Sequence, residues 1–318
     1  MKTMTRRFLA ALALCFCAAA SAQKFPDKPI HIVVPFPPGG TADLLPRLLV
    51  PELSADLGVP VVVDNRAGAG GVLAANVVAH AEPDGYTLMV VPVGFFFTEL
   101  LYKVSFDPMR FMGITILASY PSVLLGSPKL PAKDVRELLS LVRDKGARLT
   151  YASPGAGTNQ HLSAEMMKSA AHIDMTHVPY RGVAGAASDL IGGTVDVMFD
   201  NLISATPFIQ SGKVKLLGVG SAKRNPAYPD TPAIGEVLPG YESETWMSVV
   251  APPGTPAAIV NRLNAAFVHA LANPANNQRI RSWQAQPVGN TPAQMAAVVK
   301  RDAARWTQVI RAINLQPE

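Results

Sequence analysis

Short runs of β-branched residues alternate with segments of helical periodicity along this chain, and this alternation constrains the fold more than any other feature. Strands are predicted at residues 30–34, 61–63 and 87–91, and helices at 41–57 and 71–79 lie between them. Strands that are joined through helices pair in parallel, because the helix carries the chain back across the sheet. The sequence therefore predicts an α/β fold with largely parallel sheets.

A second group of elements shows the same alternation. Its predicted strands cover residues 149–153, 175–178, 195–199 and 215–219, and its predicted helices cover residues 159–171 and 184–191. Proline-rich stretches at 121–131 and 226–232 bracket this group, as crossovers between domains do. We therefore predict two domains, the first formed by residues 23–125 and 223–318 and the second by residues 126–222.

The last third of the chain carries two stripes of apolar residues at helical spacing. One comprises Ile259, Leu263, Phe267 and Leu271, and the other comprises Met295, Val299, Trp306, Ile310 and Ile313. Thr-Pro pairs at 255–256 and 291–292 precede them, which is typical of a capped helix start. We interpret both stripes as packing helices of the core.

The first 22 residues have the three parts of a secretory signal peptide. Lys2, Arg6 and Arg7 are basic, and the apolar run that follows at 8–20 is shorter than the ~18 residues expected of a membrane-spanning helix. Ala-Ser-Ala at 20–22 supplies the small residues of a cleavage site. We expect export to the periplasm and a mature chain that begins at Gln23.

Cleavage would change the charge and the cysteine content of the chain. Removing the three basic residues lowers the formal charge from +5 to +2, which leaves no electrostatic footprint for nucleic acid. Both cysteines, Cys15 and Cys17, would leave with the signal, so disulfide scaffolds and thiol chemistry are excluded for the mature protein. Leu14 and Phe16 precede these cysteines where a lipoprotein site needs a small residue, and this favours a soluble product.

A glycine-containing loop joins the first predicted strand to its helix, and it includes Phe36, Pro38, Gly39, Gly40 and Thr41. Glycines at such a turn leave backbone N–H groups exposed, and the helix start adds unpaired donors and a partial positive charge. The loop therefore favours an anion such as a carboxylate. The alternative is a tight turn in which Thr41 caps the helix. No Gly-Lys-Ser/Thr follows, so a nucleotide P-loop is not indicated.

Two further loops of this kind follow predicted strands, at 66–71 and 153–159. The second lacks the third glycine of a dinucleotide fingerprint. Ligands of open α/β sheets bind beyond the carboxyl ends of the strands, where all three loops are expected. Two domains that present such loops across one cleft would suit a molecule with an anionic group at one or both ends.

Signals for catalysis, metals or cofactors are weak in this sequence. It contains no G-x-S-x-G and no H-E-x-x-H motif. His172, Asp174 and His177 are close in sequence, but they straddle a turn, so solvated or core histidines are favoured over a metal site. Asp200 follows the strand predicted at 195–199 and precedes Asn201. It is a candidate site residue, and a helix cap is the alternative.

The loops and strands, in this order, resemble the Bug family of tripartite tricarboxylate transporter substrate-binding proteins, typified by TctC. The segments that carry the resemblance are FPDKPI at 25–30, VVPFPPGGTAD at 33–43, VVVDNRAGAGG at 61–71, PDGYTL at 83–88, HVPYRG at 177–182, GTVDVMFDN at 193–201 and WMSVVAPPGTP at 246–256. The resemblance implies a non-catalytic periplasmic receptor without a cofactor. Its fold would be that of a type II periplasmic binding protein, with two α/β domains that close on a small organic acid.

The resemblance also implies a binding site and partners. In this family, backbone N–H groups and ordered waters hold the carboxylate, without a dedicated arginine. Carried over by motif, the ligand-binding residues are Phe36, Pro38, Gly39, Gly40 and Thr41 of the first loop, Gly157, Thr158, Asn159 and Gln160 of the second, and also Tyr180 and Asp200. The implied partners are a large and a small membrane subunit that use an ion gradient.

One departure from the family pattern bears on the ligand. After the third strand the family commonly carries small and polar residues, whereas Phe95 and Phe96 stand here. If either phenylalanine reaches the cleft, the site is more apolar and suits an aromatic or largely hydrocarbon carboxylate better than citrate. The alternative is that both anchor a helix start in the core.

Two other functions fit parts of the sequence. A carboxylate-sensing receptor that docks on a sensor kinase would use the same binding fold. An exported α/β hydrolase would need a nucleophile and a base near the glycine-containing loops. Ser153 and His161 provide candidates, but the sequence shows no third, orienting group.

Overall fold

The computed structural model describes residues 25–145 and 148–312. The predicted signal peptide, its two cysteines and Ile313 lie outside the described residues. No helix in the described part of the chain is both long and apolar enough to cross a membrane.

The described residues form ten strands and nine α-helices. The strands are β1 (Ile30–Val34), β2 (Val61–Asn65), β3 (Thr87–Pro92), β4 (Met112–Gly126), β5 (Thr150–Ser153), β6 (Thr176–Pro179), β7 (Val197–Asn201), β8 (Lys215–Val219), β9 (Glu244–Ala251) and β10 (Gln286–Pro287). The helices are α1 (Thr41–Leu57), α2 (Val72–Ala79), α3 (Val135–Lys145), α4 (Asn159–Ala171), α5 (Val183–Gly192), α6 (Leu202–Gln210), α7 (Ala257–Ala272), α8 (Pro274–Ser282) and α9 (Pro292–Ala312). Short 3-10 helices occur at Ala69–Gly71, Val93–Leu100, Pro108–Arg110 and Ile234–Glu236.

The strands pair in the order β2-β1-β3-β9-β4-β7-β5-β6, and β8 and β10 also pair with β4. At one end β1 is parallel to β2 and β3, and at the other end β5 is parallel to β6 and β7. The predicted α/β fold with parallel strands is confirmed for these two groups. We call the part of the molecule built around β1, β2, β3 and β9 the first half, and the part built around β5, β6, β7 and β8 the second half. The centre differs from the prediction, since β9 is antiparallel to β3 and β4, and β4 is antiparallel to β7 and β8.

Strand β4 belongs to both halves of the sheet. Residues 112–121 pair with β9, and residues 122–126 pair with β7. The stretch from Pro121 onward, predicted as a crossover between domains, continues as strand to Gly126 while the chain passes from one half to the other. Pro121 is the last residue paired with β9, so its missing N–H falls where the partner strand changes and interrupts neither ladder.

Three backbone hydrogen bonds tie the chain together where it passes between the halves. Ser122 donates its N–H to the Ser243 carbonyl at 3.1 Å, Gly220 donates to the Ser122 carbonyl at 2.7 Å, and Ser243 donates to the Gly220 carbonyl at 2.8 Å. A Cβ on Gly220 would lie 2.1 Å from Ser243 Oγ and 3.0 Å from the Ser122 carbonyl oxygen. We call Ser122, Gly220 and Ser243 the junction.

Helices cover the sheet and bury the predicted stripes. Leu263 and Phe267 of α7 pack beneath β1 and β3, while Trp306 and Ile310 of α9 are buried in the cluster that contains Phe97. Both stripes are therefore confirmed as packing faces within the described residues. In the second half, Ile234, Leu238 and Tyr241 share a core with Leu124 and Leu217 of β4 and β8. The predicted domain boundary at 222/223 stays a prediction.

We expect the substitution Gly220→Ala to lower the free energy of unfolding by about 1–3 kcal/mol, since the added methyl group overpacks the junction. Chemical denaturation measures the change. Gly192→Ala at the end of α5 is the matched control, because the only atom near a Cβ there is Thr194 Oγ1 at 3.9 Å. Equal stability of Gly220→Ala and the wild type would contradict a tightly packed junction.

Candidate functional site

Five helices begin at one cleft between the two halves of the sheet. Each follows a strand directly or after a short loop: α1 follows β1, α2 follows β2, α4 follows β5, α5 follows β6 and α6 follows β7. The cleft is lined by residues 40–42, 70–72, 157–160 and 182–183 and by Asn201, which are the starts of these five helices. The carboxyl ends of the parallel strands therefore converge on one cavity, as in other open α/β sheets.

The helix starts leave backbone donors at the cavity. The N–H groups of Thr41 and Ala42 in α1, and of Asn159 and Gln160 in α4, have no acceptor among the described residues. First-turn N–H groups cannot bond within their own helix, and together with the helix dipole they attract negative charge. The cavity can therefore hold an anion by its backbone.

The alternative prediction, that Thr41 caps α1, was wrong. Gly40 occupies the cap position with an extended backbone, and its helix start has no side-chain cap. Asp43 turns instead toward its own loop and accepts from the Gly39 N–H at 3.0 Å and from Arg47 Nε at 2.7 Å. Since the carboxylate of Asp43 is paired there, it does not cap α1, and the N–H groups of Thr41 and Ala42 keep no acceptor among the described residues.

No Lys, Arg, His, Asp or Glu side chain lines the cavity among the described residues. Any attraction for an anion there comes from aligned peptide dipoles, and hydroxyl and amide side chains add hydrogen-bonding capacity. Thr158 caps α4 by accepting from the His161 N–H at 3.4 Å, so its hydroxyl is committed to the loop.

The structure brings most of the predicted site residues to one cavity. Those on its wall are Phe36, Gly40, Thr41, Phe95, Gly157, Thr158, Asn159 and Gln160. Four predicted residues are not on the wall. Pro38 and Gly39 are exposed, and Tyr180 donates its hydroxyl to Asp189 at 2.6 Å. Asp200 is fully buried. Ligand contact by any of these residues stays a prediction.

Asp200 lies one residue from the cavity wall. Its Oδ1 accepts from the Asn201 N–H at 2.7 Å and from Ser204 Oγ at 2.8 Å. Burial raises the pKa of Asp200 to about 7, and the hydrogen bonds from Ser204, Asn201 and Gln160 oppose the rise. Asn201, not Asp200, occupies the cap position of α6, so the predicted alternative of a helix cap at Asp200 was wrong.

Polar contacts join the two halves beside Asp200. Ser204 Oγ lies 3.3 Å from Thr41 Oγ1, and Asn201 Nδ2 donates to the same Thr41 oxygen at 3.4 Å. The start of α1 in the first half is thereby tied to α6 in the second half. The two halves therefore contact each other across the cleft in this structure.

One wall of the cavity is apolar. Phe95 lines it and packs edge-on against Phe111 at 4.9 Å and against Phe96 at 5.2 Å, and it stacks on Phe106 at 5.9 Å. Phe106 lines the cavity as well, whereas Phe96 is buried away from it. Each of the two predicted alternatives therefore holds for one residue. Phe95 reaches the cleft, and Phe96 is a core residue.

A stack of rings supports the loop at 153–158. The His161 and His177 rings lie 4.1 Å apart, and His177 stacks on Tyr151 at 4.7 Å. Burial lowers the pKa of both histidines to about 4. His161 is therefore neutral at pH 7, and its Nδ1 accepts from the Gly157 N–H at 3.0 Å.

The structure also shows where the residues considered for a metal site and for a nucleophile–base pair lie. Asp174 is 98% exposed and lies near Lys168, and the described residues contain no group of three or more side chains that could hold a metal ion. Ser153 Oγ lies 2.7 Å from His177 Nε2, so its partner is not His161. No carboxylate is hydrogen-bonded to His177 within the described part of the chain.

Sequence reasoning missed several cavity residues. They are Tyr102, Tyr120, Gly182, Val183, Thr245 and Met247. Tyr120, Thr245 and Met247 lie on β4 and β9, whose antiparallel pairing was not predicted. Gly182 closes the motif at 177–182, and this was the one signal that could have placed it at the site.

A comparison with known families identifies a match over most of the chain. The model described as "Tripartite tricarboxylate transporter family receptor" matches residues 45–315. A curated relative from Pseudomonas sp. (strain P51), the "UPF0065 protein in tcbD-tcbE intergenic region", is 38% identical over 316 residues, which are 96% of this chain and 93% of the relative.

Solved structures share the fold. A structure described as "R. palustris Rpa4515 with adipate" is 35% identical with a TM-score of 0.89, and it covers 93% of this chain and 100% of its own. "MatC (Rpa3494) from Rhodopseudomonas palustris with bound malate" is 35% identical with a TM-score of 0.85, covering 90% and 100%. The periplasmic binding protein BugD is 32% identical with a TM-score of 0.88, covering 92% and 100%.

We expect Asp200→Asn to become more stable relative to the wild type as the pH rises. The pKa of Asp200 is raised from 3.8 to about 7, so its stabilising contribution is complete below pH 3.8 and is lost as the pH rises through 7. The loss amounts to about 1.4 kcal/mol per pKa unit, and asparagine does not titrate.

Urea unfolding of both proteins at pH 5, 6, 7 and 8 measures this difference. The value at pH 5 is the internal reference for any hydrogen bond that the substitution itself weakens. A difference in unfolding free energy that stays constant over this range would show that Asp200 is not held in its uncharged form by burial.

Proposed function

The chain belongs to the tripartite tricarboxylate transporter receptor family, and we propose that it captures a small organic carboxylate for a transporter with a large and a small membrane subunit. The convergence of five helix starts on one cleft without a charged side chain is the observation that carries this proposal. Such a cleft favours a carboxylate over a cation or a neutral sugar. Adipate and malate in two related structures support the same ligand class.

We propose the periplasm as the place of capture. The predicted signal peptide at 1–22 supports it, and so does the description of BugD as a periplasmic binding protein. N-terminal sequencing of the exported protein should then begin at Gln23.

We propose an aromatic or largely hydrocarbon carboxylate as the ligand. The carboxylate would face the starts of α1 and α4, and the hydrocarbon part would lie against Phe95, Phe106 and Met89. Hydroxyl groups of a ligand such as citrate would lose water there without gaining partners, at a cost of ~1–3 kcal/mol for each unpaired group. The apolar wall therefore selects against hydroxylated acids.

Capture would proceed by closure of the two predicted domains about the junction. The first half contributes the donors of α1 and the aromatic wall, while the second half contributes the donors of α4. A ligand that contacts both halves binds the closed form better than the open form and shifts the population toward it. A decrease in the radius of gyration on ligand addition, seen by solution scattering, is the expected sign.

Calorimetric titration of the unliganded protein with benzoate, nicotinate, adipate, malate, citrate and aspartate tests the ligand class. We expect at least one of benzoate, nicotinate and adipate to bind tenfold or more tightly than citrate and aspartate, which corresponds to about 1.4 kcal/mol. Tighter binding of citrate or aspartate would overturn the preference while leaving a carboxylate receptor intact.

A substitution distinguishes ligand contact by Phe95 from its part in core packing. Phe95→Leu should weaken binding of the preferred carboxylate several-fold, because Phe95 faces the cavity, and its effect on citrate should be smaller. Phe111→Leu is the matched control, since Phe111 contacts Phe95 but does not line the cavity. Equal loss of binding in both variants would indicate that general core damage, not ligand contact, explains the effect.

A further inference from the structure

Tyr102 of the first half reaches across the cleft to the second half. It follows the 3-10 helix Val93–Leu100, lines the cavity, and donates its hydroxyl to the carbonyl of Ala156 at 2.5 Å. Ala156 belongs to the loop between β5 and α4, whose helix start supplies two of the backbone donors described above. The Tyr102 hydroxyl therefore forms a direct hydrogen bond from the first half to the loop before α4 in the second half.

Two glycines make room for the Tyr102 ring. Gly70 and Gly157 both have left-handed backbones, with φ of +59° and +68°. A Cβ on Gly70 would lie 2.8 Å from the Tyr102 hydroxyl, and a Cβ on Gly157 would lie 2.8 Å from Tyr102 Cε2. The ring thus fits between the start of α2 in the first half and the loop before α4 in the second.

The Ala156–Gly157 peptide group is held at both of its polar ends. Its carbonyl oxygen accepts from Tyr102, and its N–H donates to His161 Nδ1 at 3.0 Å. A peptide group that is bonded on both sides cannot rotate without breaking a hydrogen bond. Its orientation sets the direction of the chain into Asn159 and Gln160, which line the cavity and whose N–H groups have no acceptor among the described residues.

From this geometry we propose that Tyr102 is a positioning residue that fixes the Ala156–Gly157 peptide when the cleft closes and so aims the donors of α4. The His161 bond lies within the second half and persists in the open form, whereas the Tyr102 bond forms only on closure. Closure and donor alignment are thereby coupled through one hydroxyl group. The inference rests on the proposed carboxylate-binding function for its effect on affinity, but the hydrogen bond itself does not.

Hydrogen exchange read by mass spectrometry at saturating benzoate or adipate tests the bond, because the bond forms only when the cleft is closed. Exchange in the peptide segment 154–161 should be roughly three- to tenfold faster in Tyr102→Phe than in the wild type, as expected for the loss of one hydrogen bond. Tyr86→Phe is the matched control, since the Tyr86 hydroxyl bonds to Asp27 at 2.6 Å within the first half. Equal exchange in this segment for Tyr102→Phe and the wild type would overturn the proposal.

Binding kinetics of benzoate and adipate test the consequence. In Tyr102→Phe we expect dissociation to be three- to tenfold faster with little change in association, because the bond forms after encounter. Unchanged dissociation with faster hydrogen exchange would reject the role in binding. If the wild type bound none of the six carboxylates of the panel, the proposed function would fail. Crystal structures of the wild type and Tyr102→Phe would then still decide whether Tyr102 orients the Ala156–Gly157 peptide, and an unchanged peptide in the variant would reject that role.

Discussion

The first-turn N–H groups of an α-helix have no acceptor within the helix, and the whole arrangement of this cleft depends on that fact. The sheet places five strand ends at one edge, and every strand end leads into a helix whose start faces the same space. Since Asp43 is bonded to Gly39 and Arg47, the α1 donors are not satisfied from within. A carboxylate can complete these helix starts without a cationic side chain.

The electrostatics around the cleft follow from the same design. His161 and His177 are neutral near pH 7 because burial lowers their pKa. Burial also raises the pKa of Asp200 to about 7, which favours its uncharged form. A full positive charge near the cavity would bind anions regardless of shape, whereas backbone donors require the closed geometry to act together. In our proposal, affinity is therefore linked to closure. The contacts of Thr41 with Asn201 and Ser204 show where the two halves meet.

Much of the fold could be predicted from local sequence, because the outer strands and their helices carry strong periodicity and glycine-marked turns. The predicted bounds of 30–34, 41–57 and 215–219 coincide with β1, α1 and β8. The centre of the sheet could not be predicted. Strands β4 and β9 pair although more than a hundred residues separate them in sequence, and Pro121 is of a residue type that usually ends a strand. For the site, loop motifs indicated the donors of α1 and α4. Tyr102 carried no local signal, because its role depends on two distant glycines.

We propose that backbone donors of α1 and α4 hold the ligand's carboxylate across the cleft. A crystal structure of the protein with whichever of benzoate or adipate binds more tightly tests it most directly. We expect carboxylate oxygens at about 2.7–3.2 Å from main-chain nitrogens among Thr41, Ala42, Asn159 and Gln160, with both halves represented. A carboxylate bound instead by an Arg or Lys side chain, or held by one half alone, would contradict it.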